Sequence, residues 1–346
     1  MKKNIVFLVT VMFIFTFIIV IISALSNTNN KNSEKIQIVA TLFPQYDFAK
    51  KVGGDKVDVT LLLPPGIESH TYEPTPKDMV NIKNSKLFVY TGKEMEPWAD
   101  KIISGVKNSV DVLDLSTTVK LINSEEFEEE HNLEHNEGET LELKQEQEQE
   151  HEHEQEHELE QEHEHNHNHQ YDPHIWLNPQ YAIKMVESIR DELCKIDPQN
   201  SNYYTSNANS YIQEIRQLDS DFEETAKSAK TKKIAFGGAF AYAYFIERYN
   251  LEFISAYDAC GENVEPSTSK IKEVIDYINN NKLPVIFYKE YTNGNIAKTI
   301  CESTGAKMLV FNTVHNISKD EINNNASYVS IMKQNLENLK IALEVE

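Results

Sequence analysis

Imidazole ligates borderline metal ions and titrates near neutral pH, so the placement of the twelve histidines bounds the chemistry of this chain. Nine of them (His131, His135, His151, His153, His157, His163, His165, His167 and His169) fall in one tract dominated by Glu, Gln and Asn. Only His70, His174 and His315 lie outside it. His70 follows Pro64-Pro65-Gly66 just after an apolar run, at the mouth of what should be an α/β lobe, where open sheets bind ligands. His174 sits between Pro173 and Pro179, immediately before a helix start. Loops stiffened in this way hold an imidazole where a metal needs it; the competing reading of each is a hydrogen-bonded loop histidine. There is no His-Glu-x-x-His, no nucleophile elbow and no base with an orienting partner at a telling spacing. The chain is therefore not read as an enzyme, with a metallohydrolase kept as the alternative that bare histidines and carboxylates allow.

Cys194, Cys260 and Cys301 match no zinc-ribbon or redox spacing, and an odd number cannot all pair within one chain. Cys194 borders an apolar helical stripe and reads as a small core residue. Cys260-Gly-Glu262 offers a thiolate and a carboxylate, but without a partner spacing the structural reading is preferred.

The elements that must position these residues are legible as patterns. Apolar, β-branched runs at 36–43, 57–63, 87–90 and 110–115 alternate with helical segments at 47–52, 76–84 and 97–106. Runs at 233–236, 251–257, 285–288 and 308–311 repeat the theme, with helices at 267–279 and 297–304 between them. Alternation of this kind predicts mostly parallel sheets with helices on their faces. Asn178-Pro179 opens a helix as N-cap and N1, and Ala182, Val186, Ile189, Leu193 and Ile196 recur along it at steps of three and four. A second helix from Asp197 carries Tyr204, Ala208, Tyr211, Ile215, Leu218 and Phe222 on one stripe. The expected fold class is α/β: two pseudo-symmetric lobes joined by one long rigid helix, with a metal site in the cleft between them. The expected organisation is 1–34 as a leader and tether, 35–196 as the first lobe, 197–230 as the connecting helix and 231–346 as the second lobe. An insertion at 125–170 interrupts the first lobe and is expected to be disordered, because its composition cannot bury enough apolar surface to offset ordering entropy.

Charge excludes one class of partner. Of the net charge of -22, the tract from Glu125 to His169 contributes -18, leaving the rest nearly neutral and without the basic stripe that nucleic-acid binding needs. Lys2-Lys3 followed by the uncharged apolar residues 5–25 reads as an export signal or an uncleaved membrane anchor, with the anchor preferred and the body outside the cytoplasm.

Gly66-Ile-Glu-Ser-His70-Thr-Tyr-Glu-Pro-Thr-Pro76, followed by Asp172-Pro-His174-Ile-Trp-Leu-Asn-Pro179, resembles the metal-specific solute-binding proteins of bacterial ABC importers. The similarity runs over about residues 36–343 and includes the Glu/His-rich insertion, a feature of that family's zinc members. The resemblance implies one metal held between two lobes, with His70 and His174 as the first lobe's two ligands, and a permease subunit as partner of a monomeric receptor. The second lobe departs from the family pattern, because Ala239 and Asn312 fall where a His (or Glu) and an Asp are usual. By elimination His315, just past the last strand, is the expected nitrogen of the second lobe, and Glu290 is the candidate oxygen ligand; for both, a capped and solvated loop is the competing reading. Glu73 is expected either to orient His70 or to cap the next helix. The Glu/His tract is expected to act as a weak, multivalent zinc trap, or else as a solvated spacer. Zinc is the expected cargo, with manganese or iron the alternative and a cell-surface adhesin the alternative of another class.

Overall fold

The computed structural model describes residues 35–67, 69–70, 72–106, 108–136, 170–257 and 266–345. The leader, Cys260, Glu262 and most of the Glu/His tract lie outside them. No helix among the described residues is long and apolar enough to cross a membrane.

In the first half, β1 (Ile36–Ala40), α1 (Phe43–Gly53), β2 (Val57–Leu61), α2 (Pro76–Asn84), β3 (Leu87–Tyr90), α3 (Ala99–Val106) and β4 (Asp111–Asp114) follow in order, then α4 (Ser124–Asn136). Next come α5 (Pro179–Ile196) and the long α6 (Ser201–Ser228). The second half has β5 (Lys233–Phe236), α7 (Ala243–Tyr249), β6 (Glu252–Ser255), α8 (Thr268–Asn281), β7 (Val285–Tyr288), α9 (Asn295–Thr304), β8 (Lys307–Val310), α10 (Lys319–Asn323) and α11 (Tyr328–Ala342).

The strands form two four-stranded sheets, β2-β1-β3-β4 and β6-β5-β7-β8, and every pairing is parallel. The two orders are the same order repeated, so the lobes are pseudo-symmetric. In each, the chain leaves the first strand in one direction and returns on its other side, which opens a crevice at the carboxyl ends of the strands. Leu-Phe-Val-Tyr of β3 is buried along its whole length, as expected for a parallel strand covered on both faces.

Helix α6 is the strut. Its 28 residues span about 42 Å at about 1.5 Å per residue. The stripe Tyr204, Ala208, Tyr211, Ile215, Leu218 and Phe222 is wholly buried against α1, α5 and α11. One apolar core runs from Ile38 in the first lobe, along this helix, to Leu343 at the far end, with a smaller core on the outer face of each sheet. Polar anchors fix both halves of the strut. Tyr211 Oη donates to the buried carboxylate of Asp47 (2.5 Å), which also accepts from Tyr328 N. Asp219 accepts from Arg248 Nη2 (2.7 Å) and Tyr249 Oη (2.9 Å), both in the last turn of α7.

One expectation fails in an informative way. The acidic tract is not without structure from its first residue, since residues 124–136 form α4. The reason is Phe127, the one aromatic residue near its start: it is buried and stacks on Phe240 and Phe253 of the second lobe. His131, one turn later, lies over Phe253 as well.

Candidate metal site

His174 is placed by its short, buried motif. Ile175, Trp176 and Leu177 form a fully buried 3-10 turn, and the Asn178 side chain accepts from Gln180 N to start α5. The imidazole is wholly buried. Its Nδ1 and its backbone N–H both donate to Asp172 Oδ1, at 2.8 and 2.7 Å. With the proton on Nδ1, Nε2 carries the lone pair.

His315 is placed by the loop after β8. Asn335 of α11 holds this loop, accepting from Asn312 N and donating to Asn312 O. Asn312 Oδ1 in turn accepts from Val314 N (2.6 Å). Val314 is buried with φ of 62°, a conformation disfavoured for a β-branched residue and held by these bonds. His315 Nδ1 contacts Thr313 Oγ1, which is bonded to Glu290 Oε1 (2.5 Å), while Thr313 N donates to Glu290 Oε2 (2.8 Å). Burial pushes the Glu290 carboxyl up, opposed by the two Thr313 bonds and the nearby Lys289 charge. With Glu290 ionised, the Thr313 hydroxyl donates to it and accepts from His315 Nδ1–H, which again leaves the lone pair on Nε2.

His70 comes from the turn after β2, in which Ile67 N bonds Pro64 O and Gly66 takes φ of 78°. The next helix is capped by Thr75 and Asp78 acting reciprocally. Glu73 is exposed and is not the cap.

The three imidazoles converge. One donor atom from each of His70, His174 and His315 lies within 4.8 Å of the other two. Ring centroids are 5.5, 5.5 and 4.9 Å apart, and Trp176 lies edge-on to both His174 and His315. His174 Nε2 and His315 Nε2 face each other at 3.0 Å. Two lone pairs at that distance repel unless a cation lies between them. Nitrogens bound to one tetrahedral zinc at about 2.0–2.1 Å would stand about 3.3–3.4 Å apart, so the ring positions need to move by only a few tenths of an ångström. A cleft leads to His315 between Gly66, Ile67 and Ser69 on one side and Lys289 to Thr292 on the other.

Of the four residues expected at the metal, the structure groups the three histidines. Glu290 is not in that group: both its oxygens are engaged by Thr313, and its Oε1 is 3.9 Å from His315 Nδ1. Ala239 is buried and Asn312 is spent on its own loop. Sequence reasoning assigned no role to Asp172 or Thr313. Each stands two residues before one of the grouped histidines, and that spacing is the signal that could have found them.

The family profile described as "Zinc-uptake complex component A periplasmic" matches residues 38–342. The chain belongs to this ZnuA family. Its relatives include the high-affinity zinc uptake system protein ZnuA of Bacillus subtilis, 33% identical over 341 residues, which cover 97% of this chain and 98% of that one. The zinc-binding lipoprotein AdcA of Streptococcus pneumoniae is 31% identical over 92% of this chain but only 58% of its own length, so the present chain spans little more than half of that longer relative. The Zn(II)-bound ZnuA-like domain of the pneumococcal AdcA superposes with a TM-score of 0.69 at 27% identity, covering 90% of this chain and all of that domain. The two-lobed fold read from the strand order is thus the fold of this family, whose members are components of uptake systems rather than enzymes.

Proposed function

We propose that this chain captures zinc outside the cytoplasm on His70, His174 and His315 and presents it to the permease of an ABC importer. The observation that supports this best is the pair of Nε2 atoms facing each other at 3.0 Å, each turned into an acceptor by a hydrogen bond at the opposite ring nitrogen. Such a pair has one natural occupant, a cation that favours nitrogen. The nearby carboxylates of Asp172 and Glu290 are engaged in orienting the rings. The donor set is therefore poor in the oxygen that manganese and iron favour, which supports zinc over either. Three protein ligands leave a fourth zinc position for water or another small ligand. The names of the relatives point to the same metal.

In this reading the protein works as a monomer tethered at the membrane by residues 5–25, and Glu290 acts by orienting His315 rather than by binding metal. The test is elemental analysis and calorimetric titration of the full-length protein. One tightly held zinc per chain is expected, apart from weak binding by the Glu/His tract, with affinity at the tight site lowered at least a hundredfold by His174→Ala and by His315→Ala. Unchanged affinity in His315→Ala would remove that residue from the site.

A further inference from the structure

Asn316, the residue after His315, is almost wholly buried, and every hydrogen-bonding atom of its side chain is used. Nδ2 donates to Pro64 O (2.9 Å) and to Ile67 O (2.7 Å), and Oδ1 accepts from Ile317 N (2.7 Å). The first two bonds cross the cleft, from the second lobe to the turn that leads into His70. We infer that Asn316 is a positioning residue of the zinc site, which fixes His70 by clamping the 64–67 turn. The inference rests on the three-histidine reading proposed above.

The turn needs such a clamp. Ile67 is half exposed and Gly66 lies in open space, so apolar packing does little to hold this segment. The turn has one internal bond, Ile67 N to Pro64 O at 3.2 Å. The same two carbonyl-bearing residues, Pro64 and Ile67, are the ones Asn316 grips. A primary amide is the short side chain that offers two donors and an acceptor together: an aspartate donates nothing when ionised, and a serine donates once. The clamp also links two ligands directly. Its Cα is the neighbour of His315, whose carbonyl accepts from Phe43 N of the first lobe, and its amide holds the chain three residues before His70. Parting the lobes to release metal must break the clamp along with the His70–metal bond, so the effect of Asn316 belongs in the release step.

The experiment is a double-mutant cycle on the full-length protein. Asn316→Ala and the isosteric Asn316→Asp are made alone and with His70→Ala. Zinc affinity is read by competition with a fluorescent chelator, release by chelator-triggered stopped flow, and folding of the metal-free variants by urea unfolding. Removing a group that orients a metal ligand commonly lowers affinity about 10–100-fold. A loss in that range is expected for both Asn316 variants, carried by faster release, with the larger loss in Asn316→Asp because its carboxylate faces two carbonyl oxygens. In the His70→Ala background the same substitutions should change affinity by less than about twofold. Equal losses in both backgrounds, or no loss in either, would overturn the inference. The two readings fail separately: unchanged affinity in His70→Ala sinks the three-histidine site and the clamp with it, whereas a large His70→Ala loss beside equal Asn316 losses sinks the clamp alone.

Discussion

Replacing Thr313 with Val removes one hydroxyl and little volume, and it cuts the link between Glu290 and His315. The backbone bond from Thr313 N to Glu290 Oε2 survives, so the loop keeps one of its two ties to the carboxylate. Two effects follow. Glu290 stays buried but loses the 2.5 Å bond from the hydroxyl, a bond to a charged group worth about 1.5–3 kcal/mol. His315 loses the acceptor that holds its proton on Nδ1, so neither its tautomer nor its ring angle is fixed. Loss of a ligand-orienting partner commonly weakens metal binding about 10–100-fold, or about 1.4–2.7 kcal/mol. Glu290→Gln should weaken binding to a similar degree while keeping the shape, because a carboxamide cannot accept at both ends. Either its NH₂ meets the Thr313 backbone N–H, or it donates to the Thr313 hydroxyl and turns that hydroxyl toward His315 as a donor, which puts the imidazole proton on the metal-facing nitrogen. Zinc affinity by chelator competition, with metal-free unfolding measured in parallel, separates the two effects. If both variants hold zinc as tightly as the unmodified chain, the relay has no part in binding and the assignment of the His315 lone pair is wrong.

Other expectations follow from the same structure. Burial pushes the Glu96 carboxyl up to about 8, although Thr41 Oγ1 and the backbone N–H groups of Thr91 and Gly92 oppose the shift. The folded chain then keeps this proton to a higher pH than the unfolded chain, so its contribution to stability is complete below about 4.3 and is lost as pH rises toward 8. Urea midpoints should fall across that window, and Glu96→Gln should flatten the slope; parallel profiles would refute this. Stripping zinc should lower the melting temperature, because a ligand at a hundred times its Kd stabilises by about 2.7 kcal/mol; identical melts with zinc and with chelator would contradict a folded-state site. Phe127→Ala should cost about 3–5 kcal/mol at most, the range for a buried aromatic, and should speed limited proteolysis within residues 124–136, since Phe127 is what holds α4 on the second lobe.

Much of this architecture is visible in the sequence because it depends on local periodicity. The α6 stripe, the Asn178-Pro179 cap and the apolar runs of both sheets each lie within one short window and appear in the fold where the pattern put them. The site is less legible. His174 advertises itself through its prolines, but its Asp172 partner is an ordinary acidic residue until the backbone turns. His315 is reached by elimination, not by pattern, because Glu290, which acts on it through Thr313, comes from the neighbouring strand of a parallel sheet, and Asn335, which holds its loop, comes from a later helix. Glu290 was read as an oxygen ligand because it ends a strand near the cleft, and strand ends reveal where a side chain starts, not which neighbour takes its oxygens. The tract beginning at Glu125 was read from average composition, which hid one phenylalanine with a partner more than a hundred residues away.

In the site proposed above, hydrogen bonds between the lobes would make them act on the metal as one body. Trp176 lies two residues after His174, and its Nε1 donates to Thr313 O, the carbonyl of the residue whose hydroxyl orients His315. Tyr328 Oη in turn donates to Trp176 O, so the indole segment is held from α11 as well. Trp176→Phe would leave Thr313 O buried without this donor, at about 1–3 kcal/mol, and would remove part of the wall that sets both imidazoles edge-on. A purely structural tryptophan would lower stability and leave zinc release unchanged. Because its hydrogen bond ends on the loop of one ligand and its backbone begins at another, the expected result is a loss in both, with release faster than the destabilisation of the metal-free protein explains. Equal release rates after correction for stability would mean that the lobes hold zinc independently, and that the shared core along α6 carries no information between them.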